Sequence, residues 1–161
     1  MKQTITLALL ILWGLTASWM TTARAAGLPD VQNFTLEAKQ SKDKQAPIMV
    51  LFMSNSCPYC EQVLQEFLLP MQRDAEYDSK VILRQIKVGS SKKLIDFNGK
   101  TTTPNTFARA HKVWAVPTVV LFDSQGQVLT EIVGLLTVDF YQAYLDIAIN
   151  DSQAKIKAAA K

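Results

Sequence analysis

Apolar residues in this chain form two kinds of pattern, and the difference assigns the elements. Ile48-Met49-Val50-Leu51-Phe52-Met53 is apolar without a break. A run of that length with no alternation predicts a strand buried on both faces. Val81 to Val88 is expected to be a second strand and Val116 to Phe122 a third. Asp123-Ser124-Gln125-Gly126 has turn composition, which makes Val128 to Val133 the antiparallel partner of the third strand, closed by Gly134. The other pattern is helical. Val63, Leu64, Phe67 and Leu68 share one face of a helix that begins near Cys57, and Pro70 is expected to kink or end it. Thr103 can cap a helix with Pro104 at its first position, running to about His111. Val138 to Ile149 forms a last helix, with Phe140, Tyr141, Tyr144, Leu145 and Ala148 along its face.

The order is strand, helix, strand, helix, strand, strand, helix. It predicts an α/β domain over residues 47–150, a central mixed β-sheet flanked by helices on both faces. Phe52, Phe122 and Phe140 are assigned to its core. Asn98-Gly99 marks a turn inside the polar stretch that follows the second strand. Residues 26–46 are polar and are taken as an entry segment, with one short strand from Gln32 to Leu36. The tail, residues 151–161, is rich in alanine and lysine and is expected to fray.

Length and composition add bounds. The chain has 161 residues, enough for one domain with a full core. Its N-terminus differs from the rest. Lys2 is followed by an apolar stretch through Met20, and then by Ala23-Arg24-Ala25. Small residues at the first and third positions before a bond suit signal peptidase, so residues 1–25 read as a signal peptide cleaved after Ala25. The competing reading is an uncleaved anchor, since the stretch is nearly long enough to span a bilayer. Either way the domain is placed outside the cytoplasm, and a periplasmic location is expected, with no stable membrane insertion after cleavage. Removing Lys2 and Arg24 leaves 15 basic and 14 acidic residues, a net charge of +1. No basic run is interleaved with aromatics, so there is no electrostatic case for nucleic acid.

The only two cysteines lie in Cys57-Pro58-Tyr59-Cys60. A disulfide closing so short a ring restricts the unfolded chain little, so it stabilises poorly and suits opening and closing. Cys57 falls where a buried strand passes into a helix. The free amides and positive dipole end of that helix favour a thiolate, which is the attacking species in disulfide exchange. Cys57 is therefore the candidate nucleophile. Cys60, one turn on and more shielded, is the candidate resolving thiol. Pro58 suits a first helical turn. A closed zinc site would need two more ligands, and His111 is the sole histidine, so no metal or other cofactor is assigned. Copper held by the cysteine pair with Met49 or Met53 is softer chemistry and stays open as an alternative.

Cys57-Pro58-Tyr59-Cys60 after an apolar strand, and Ala115-Val116-Pro117-Thr118 before another, resemble the thioredoxin superfamily. The likeness covers about residues 46–149, and the stretch from Thr106 to Asp123 with Gly126 and Gly134 carries its second half. The resemblance implies a thioredoxin fold and a protein-disulfide oxidoreductase. It makes Pro117 the family's cis-proline. It places Val116 beside Cys57 as part of a groove for an extended substrate segment, with Pro58 and Tyr59 on the other side. The chain as a whole is similar to small exported thioredoxin-like proteins, including the SoxW type found with sulfur-oxidation systems. Partners implied are protein thiols and disulfides, with a membrane electron donor of the DsbD type if the protein acts as a reductase. A thioredoxin-fold chaperone or a copper-binding module is the alternative. Two positions depart from thioredoxins proper. Leu51 stands where they carry a buried aspartate that moves protons, and Ser56 replaces the tryptophan before the motif. His111 is expected to be solvated or satisfied, and Trp114 either lines the groove or packs.

Overall fold

The computed structural model describes residues 27–160. The expected signal peptide lies outside them. In chain order the elements are α1 (Phe34–Lys44), β1 (Ile48–Met53), α2 (Pro58–Gln62), a π-helical segment (Val63–Leu68) and α3 (Leu69–Arg73). A 3-10 turn (Ala75–Tyr77), β2 (Ile82–Lys87), β3 (Leu94–Ile95) and β4 (Thr101–Thr102) follow. The chain then forms α4 (Pro104–Ala110), β5 (Thr118–Phe122), β6 (Val128–Val133) and α5 (Val138–Ala159).

The main sheet has the order β2-β1-β5-β6, and β3 pairs with β4 in a separate ribbon. β1 runs parallel to β2 and antiparallel to β5, and β5 is antiparallel to β6. This is the expected mixed sheet. The unbroken apolar run of β1 follows from its place inside the sheet, because its side chains alternate between two cores. Met49, Leu51 and Met53 enter one, and Ile48, Val50 and Phe52 the other. The first core is aliphatic and sulfur-rich and is closed by Val63, Phe67 and Leu68 with Tyr141 and Leu145 of α5. The second is aromatic. Phe34 stacks on Phe97 and Phe107 with centroids 4.4 and 4.5 Å apart, and Phe122 closes the group.

Several expectations change. Residues 34–44 form a helix, where a strand from Gln32 to Leu36 was expected. The Asn33 side chain caps it by accepting from the Thr35 N–H at 2.9 Å, and Phe34 is fully buried in the aromatic core. Extended pairing in this region is limited to bridges at Asp30 and Asn33. Arg84 on β2 clamps the helix, with Nε 2.8 Å from Glu37 Oε1 and Nη2 2.7 Å from Oε2. The tail does not fray at residue 151 either. α5 continues to Ala159, and Ser152 is buried. Phe140 is not core but 60% exposed, and Tyr144 is also exposed. The buried face of α5 is Tyr141, Leu145, Ala148, Ile149 and Ser152. Pro70 does not end its helix. Regular geometry gives way one turn earlier, in the π-helical segment, and the helix resumes to Arg73. A proline ring in a regular α turn would meet the carbonyl four residues back, here that of Glu66.

Candidate active site

β1 delivers the chain to one end of the sheet, and Ser54-Asn55-Ser56 turns it into α2. Cys57 is the N-cap residue of that helix, with extended φ and ψ of −112° and 102° and Pro58 in the first turn. Its Sγ accepts a hydrogen bond from the Cys60 N–H at 3.1 Å. Its carbonyl accepts from the Cys60 and Glu61 amides. Cys57 and Cys60 are joined in a disulfide with Cα atoms 5.2 Å apart. Cys60 is fully buried, whereas Cys57 is only half-buried and Pro58 and Tyr59 are exposed. One sulfur of the pair is thus open to a partner and the other is not.

A sulfur in this position is stabilised as an anion by two effects that add. A backbone amide points directly at it, and the dipoles of the following turns place positive potential there. Cys60 has the opposite setting. It sits in the aliphatic core with Leu51, Met53, Val63 and Leu64. Burial in apolar surroundings disfavours a thiolate, so the reduced Cys60 holds its proton.

The second half of the site enters from β5. Phe52 pairs with Thr118, so the segment just before β5 lies at the end of the sheet where β1 leaves for Cys57. Pro117 is buried there, Val116 is half-buried, and the peptide bond between them is cis. Cys57 and Val116 pack against the same core. Thr118 Oγ1 donates to the Ala115 carbonyl at 2.9 Å, and the Gly134 N–H donates to the Pro117 carbonyl at 2.8 Å. These bonds fix the Val116–Pro117 segment from both sides. Three large side chains are exposed: Tyr59 (64%) on α2, Trp114 (73%) just before Val116, and Leu136 (84%) after β6. Trp114 is therefore at the surface beside the Val116 segment and is not packed inside.

His111 is elsewhere. Its ring lies 4.9 Å from that of Phe122, at the opposite end of β5 from Pro117. It also lies 4.4 Å from Phe107, and burial among these rings lowers its pKa, with Asp96 acting in the other direction. Met49 and Met53 are buried strand residues of the aliphatic core. Among the described residues no three histidine, cysteine, aspartate or glutamate side chains cluster as metal ligands. Nor is any helix among them long and apolar enough to cross a membrane.

One buried polar group escaped notice in the sequence. Gln85 pairs in register with Leu51, and its Nε2 donates to Asp30 Oδ1 at 2.8 Å. Its Oε1 is buried with no partner among the described residues. The available signal was a glutamine beside Arg84 in a strand whose other inner positions, Ile82, Leu83 and Ile86, are apolar. Leu51 itself is fully buried, so no carboxylate occupies that position beneath Cys60.

Comparison with known proteins gives one family match, to a thioredoxin-like domain, over residues 34–149. No curated protein matches the chain. Among solved structures, the oxidised form of mitochondrial thioredoxin 3 from Saccharomyces cerevisiae is 21% identical, with a TM-score of 0.53. That match covers 77% of this chain and 94% of the yeast protein. A thioredoxin-fold protein from Helicobacter pylori is 17% identical with a TM-score of 0.50, covering 76% of this chain and 93% of its own. At such identities the structural likeness establishes the fold. Together with the family match over most of the chain, it shows that this protein belongs to the thioredoxin-like domain family.

Proposed function

We propose that the protein is a thiol:disulfide oxidoreductase acting on protein partners, and that it works as a reductase. The observation that carries this is the asymmetry of the cysteine pair. Cys57 is accessible at a helix N-cap with an amide donor on its sulfur, while Cys60 is buried one turn behind it.

In the reduced protein, the Cys57 thiolate attacks one sulfur of a partner disulfide. A mixed disulfide forms, and the other partner sulfur leaves as a thiolate that takes a proton from solvent. Cys60 then gives up its proton to water, and its sulfur attacks Cys57 Sγ. The intramolecular disulfide forms, the partner's second sulfur is expelled, and two electrons have passed from the dithiol to the partner. With Leu51 beneath the pair, the Cys60 proton leaves without help from a carboxylate at that position.

The reductase direction rests on compactness. Between β2 and Val116 there is only the β3–β4 ribbon and the seven-residue α4, with no inserted helical domain. The exported setting rests on residues 1–25, with Ala26 as the mature N-terminus, and a periplasmic reductase of the SoxW-like type would draw electrons from a membrane donor of the DsbD type. Turbidity from insulin reduction in the presence of dithiothreitol tests the activity. Cys57→Ser should abolish it, and Cys60→Ser should accumulate mixed disulfides, because attack continues while release stops. Full turnover by Cys57→Ser would refute the assignment. Intact-mass analysis of the exported protein checks Ala26, and a measured reduction potential checks the direction.

A further inference from the structure

A second site opens beside the redox end, on the outer edge of β2. The segment through Pro29 and Val31 adds to that edge. The Val31 N–H donates to the Gln85 carbonyl and the Gln85 N–H to the Pro29 carbonyl, both at 3.0 Å. The chain then turns away toward the cap of α1, and its next tie is from the Ile95 N–H to the Gln32 carbonyl at 2.9 Å. Between these ties lies a cavity of about 510 Å³, within the roughly 300–1,000 Å³ of small-molecule sites.

Its lining divides by chemistry. Val31, Ile86 and Leu94 are buried apolar side chains and give it an apolar wall. Lys87, Lys92 and Lys93 are the cationic residues of the same lining. The one carboxylate there, Asp30, is already held by Gln85 Nε2 at 2.8 Å. Among the described residues none of the three lysines has an ion pair or a side-chain hydrogen bond, whereas Lys80 and Arg84 elsewhere are paired. The loop that carries two of them is shaped locally, with the Lys92 N–H donating to Ser90 Oγ at 3.1 Å and the Ser90 N–H to the Lys87 carbonyl at 2.9 Å. Three lysines without partners in the lining, beside an apolar wall in a cavity of ligand size, select a charge and a body type.

We infer that this cavity binds a small organic anion, a phosphate- or carboxylate-bearing molecule whose charged end meets Lys87, Lys92 and Lys93 and whose apolar body lies on Val31, Ile86 and Leu94. The site is separate from the cysteine pair. Lys87 pairs with Met53 across the sheet, so the cavity stands on the far side of β2 from the Cys57 loop. The inference does not depend on the redox reading.

Phenyl phosphate, benzyl alcohol and inorganic phosphate, titrated separately into ¹⁵N-labelled protein, test it by amide shifts. Phenyl phosphate should shift the amides of Val31, Lys87, Leu94 and Ile95. It should bind at least ten-fold more tightly than either of the other two, and less tightly as salt is raised. The double variant Lys92→Glu/Lys93→Glu changes exposed residues only and should weaken it at least ten-fold with an unchanged melting temperature. Equal binding of inorganic phosphate would mean an adventitious ion on surface lysines only. Equal binding of benzyl alcohol, shifts confined to Tyr59, Trp114 and Leu136, or indifference to the double variant would each overturn the proposal.

Discussion

The two cores on either side of the sheet differ in chemistry, and the difference separates what holds the protein together from what reacts. The core behind α1 and α4 is built from Phe34, Phe97, Phe107 and Phe122, rings that meet at 4.4 to 6.3 Å. The core behind α2 and α5 is aliphatic, and Cys60 is one of its buried members. Rings fix one another's positions through shape and quadrupole, so the aromatic side tolerates little change. The aliphatic side surrounds Cys60 with dry, apolar side chains, a setting that disfavours a thiolate there. Perturbing the aromatic side should therefore change stability and leave the sulfur chemistry of the folded molecule intact.

The largest such effect is expected at Gly126. It has a φ of +80°, and a Cβ there would stand 2.6 Å from the Phe97 ring. Gly126→Ala combines backbone strain with overpacking and should cost about 3 kcal/mol. Chemical denaturation measures this, and the labelling rate of Cys57 below the transition should not change. Next is the clamp of α1. Glu37→Ala strips the mostly buried Arg84 of both carboxylate bonds. The loss should fall between that of an exposed and a buried pair, at about 2 kcal/mol. A loss of Cys57 reactivity in either variant while still folded would erase the distinction between the two sides.

The smallest effect is a pH dependence. Burial among the phenylalanine rings lowers the His111 pKa, so the unfolded chain takes up this proton at higher pH than the folded one. His111 therefore contributes stability that is present above its unfolded value, near 6.5, and lost as the pH falls through the lower folded value. His111→Phe should flatten that part of the stability–pH curve, measured by denaturation from pH 7 downward. A steeper slope in the variant would contradict the assignment.

The same contrast explains what could be read from the sequence. β1 was legible because a strand buried on both faces must be apolar throughout. α4 was legible through Thr103, whose Oγ1 accepts from the Thr106 N–H, and through Pro104 behind it. α1 was not, because only Phe34 and Ser41 of its eleven residues are buried, too few for a helical stripe. Its signal was the cap at Asn33. On α5 two stripes compete, Phe140 with Tyr144 and Ile147, and Tyr141 with Leu145, Ala148 and Ile149. Periodicity alone does not choose between them, and the assignment of Phe140 to the core chose wrongly. β3 and β4, at two residues each, are too short to leave a pattern. At the site, Cys57 and Cys60 followed from spacing and the strand–helix junction. Val116 and Pro117 came from family resemblance alone, since nothing local links them to a motif nearly sixty residues earlier.

The proposed chemistry stands on the asymmetry of the pair, with Cys57 the reacting sulfur and Cys60 the shielded one. Limited iodoacetamide labelling of the reduced protein at mildly acidic pH, read by peptide mass spectrometry, tests it most directly. Cys57 should carry nearly all of the label, because its thiolate is stabilised by the Cys60 N–H and the helix dipole. Label appearing first on Cys60, or equally on both, would contradict the account.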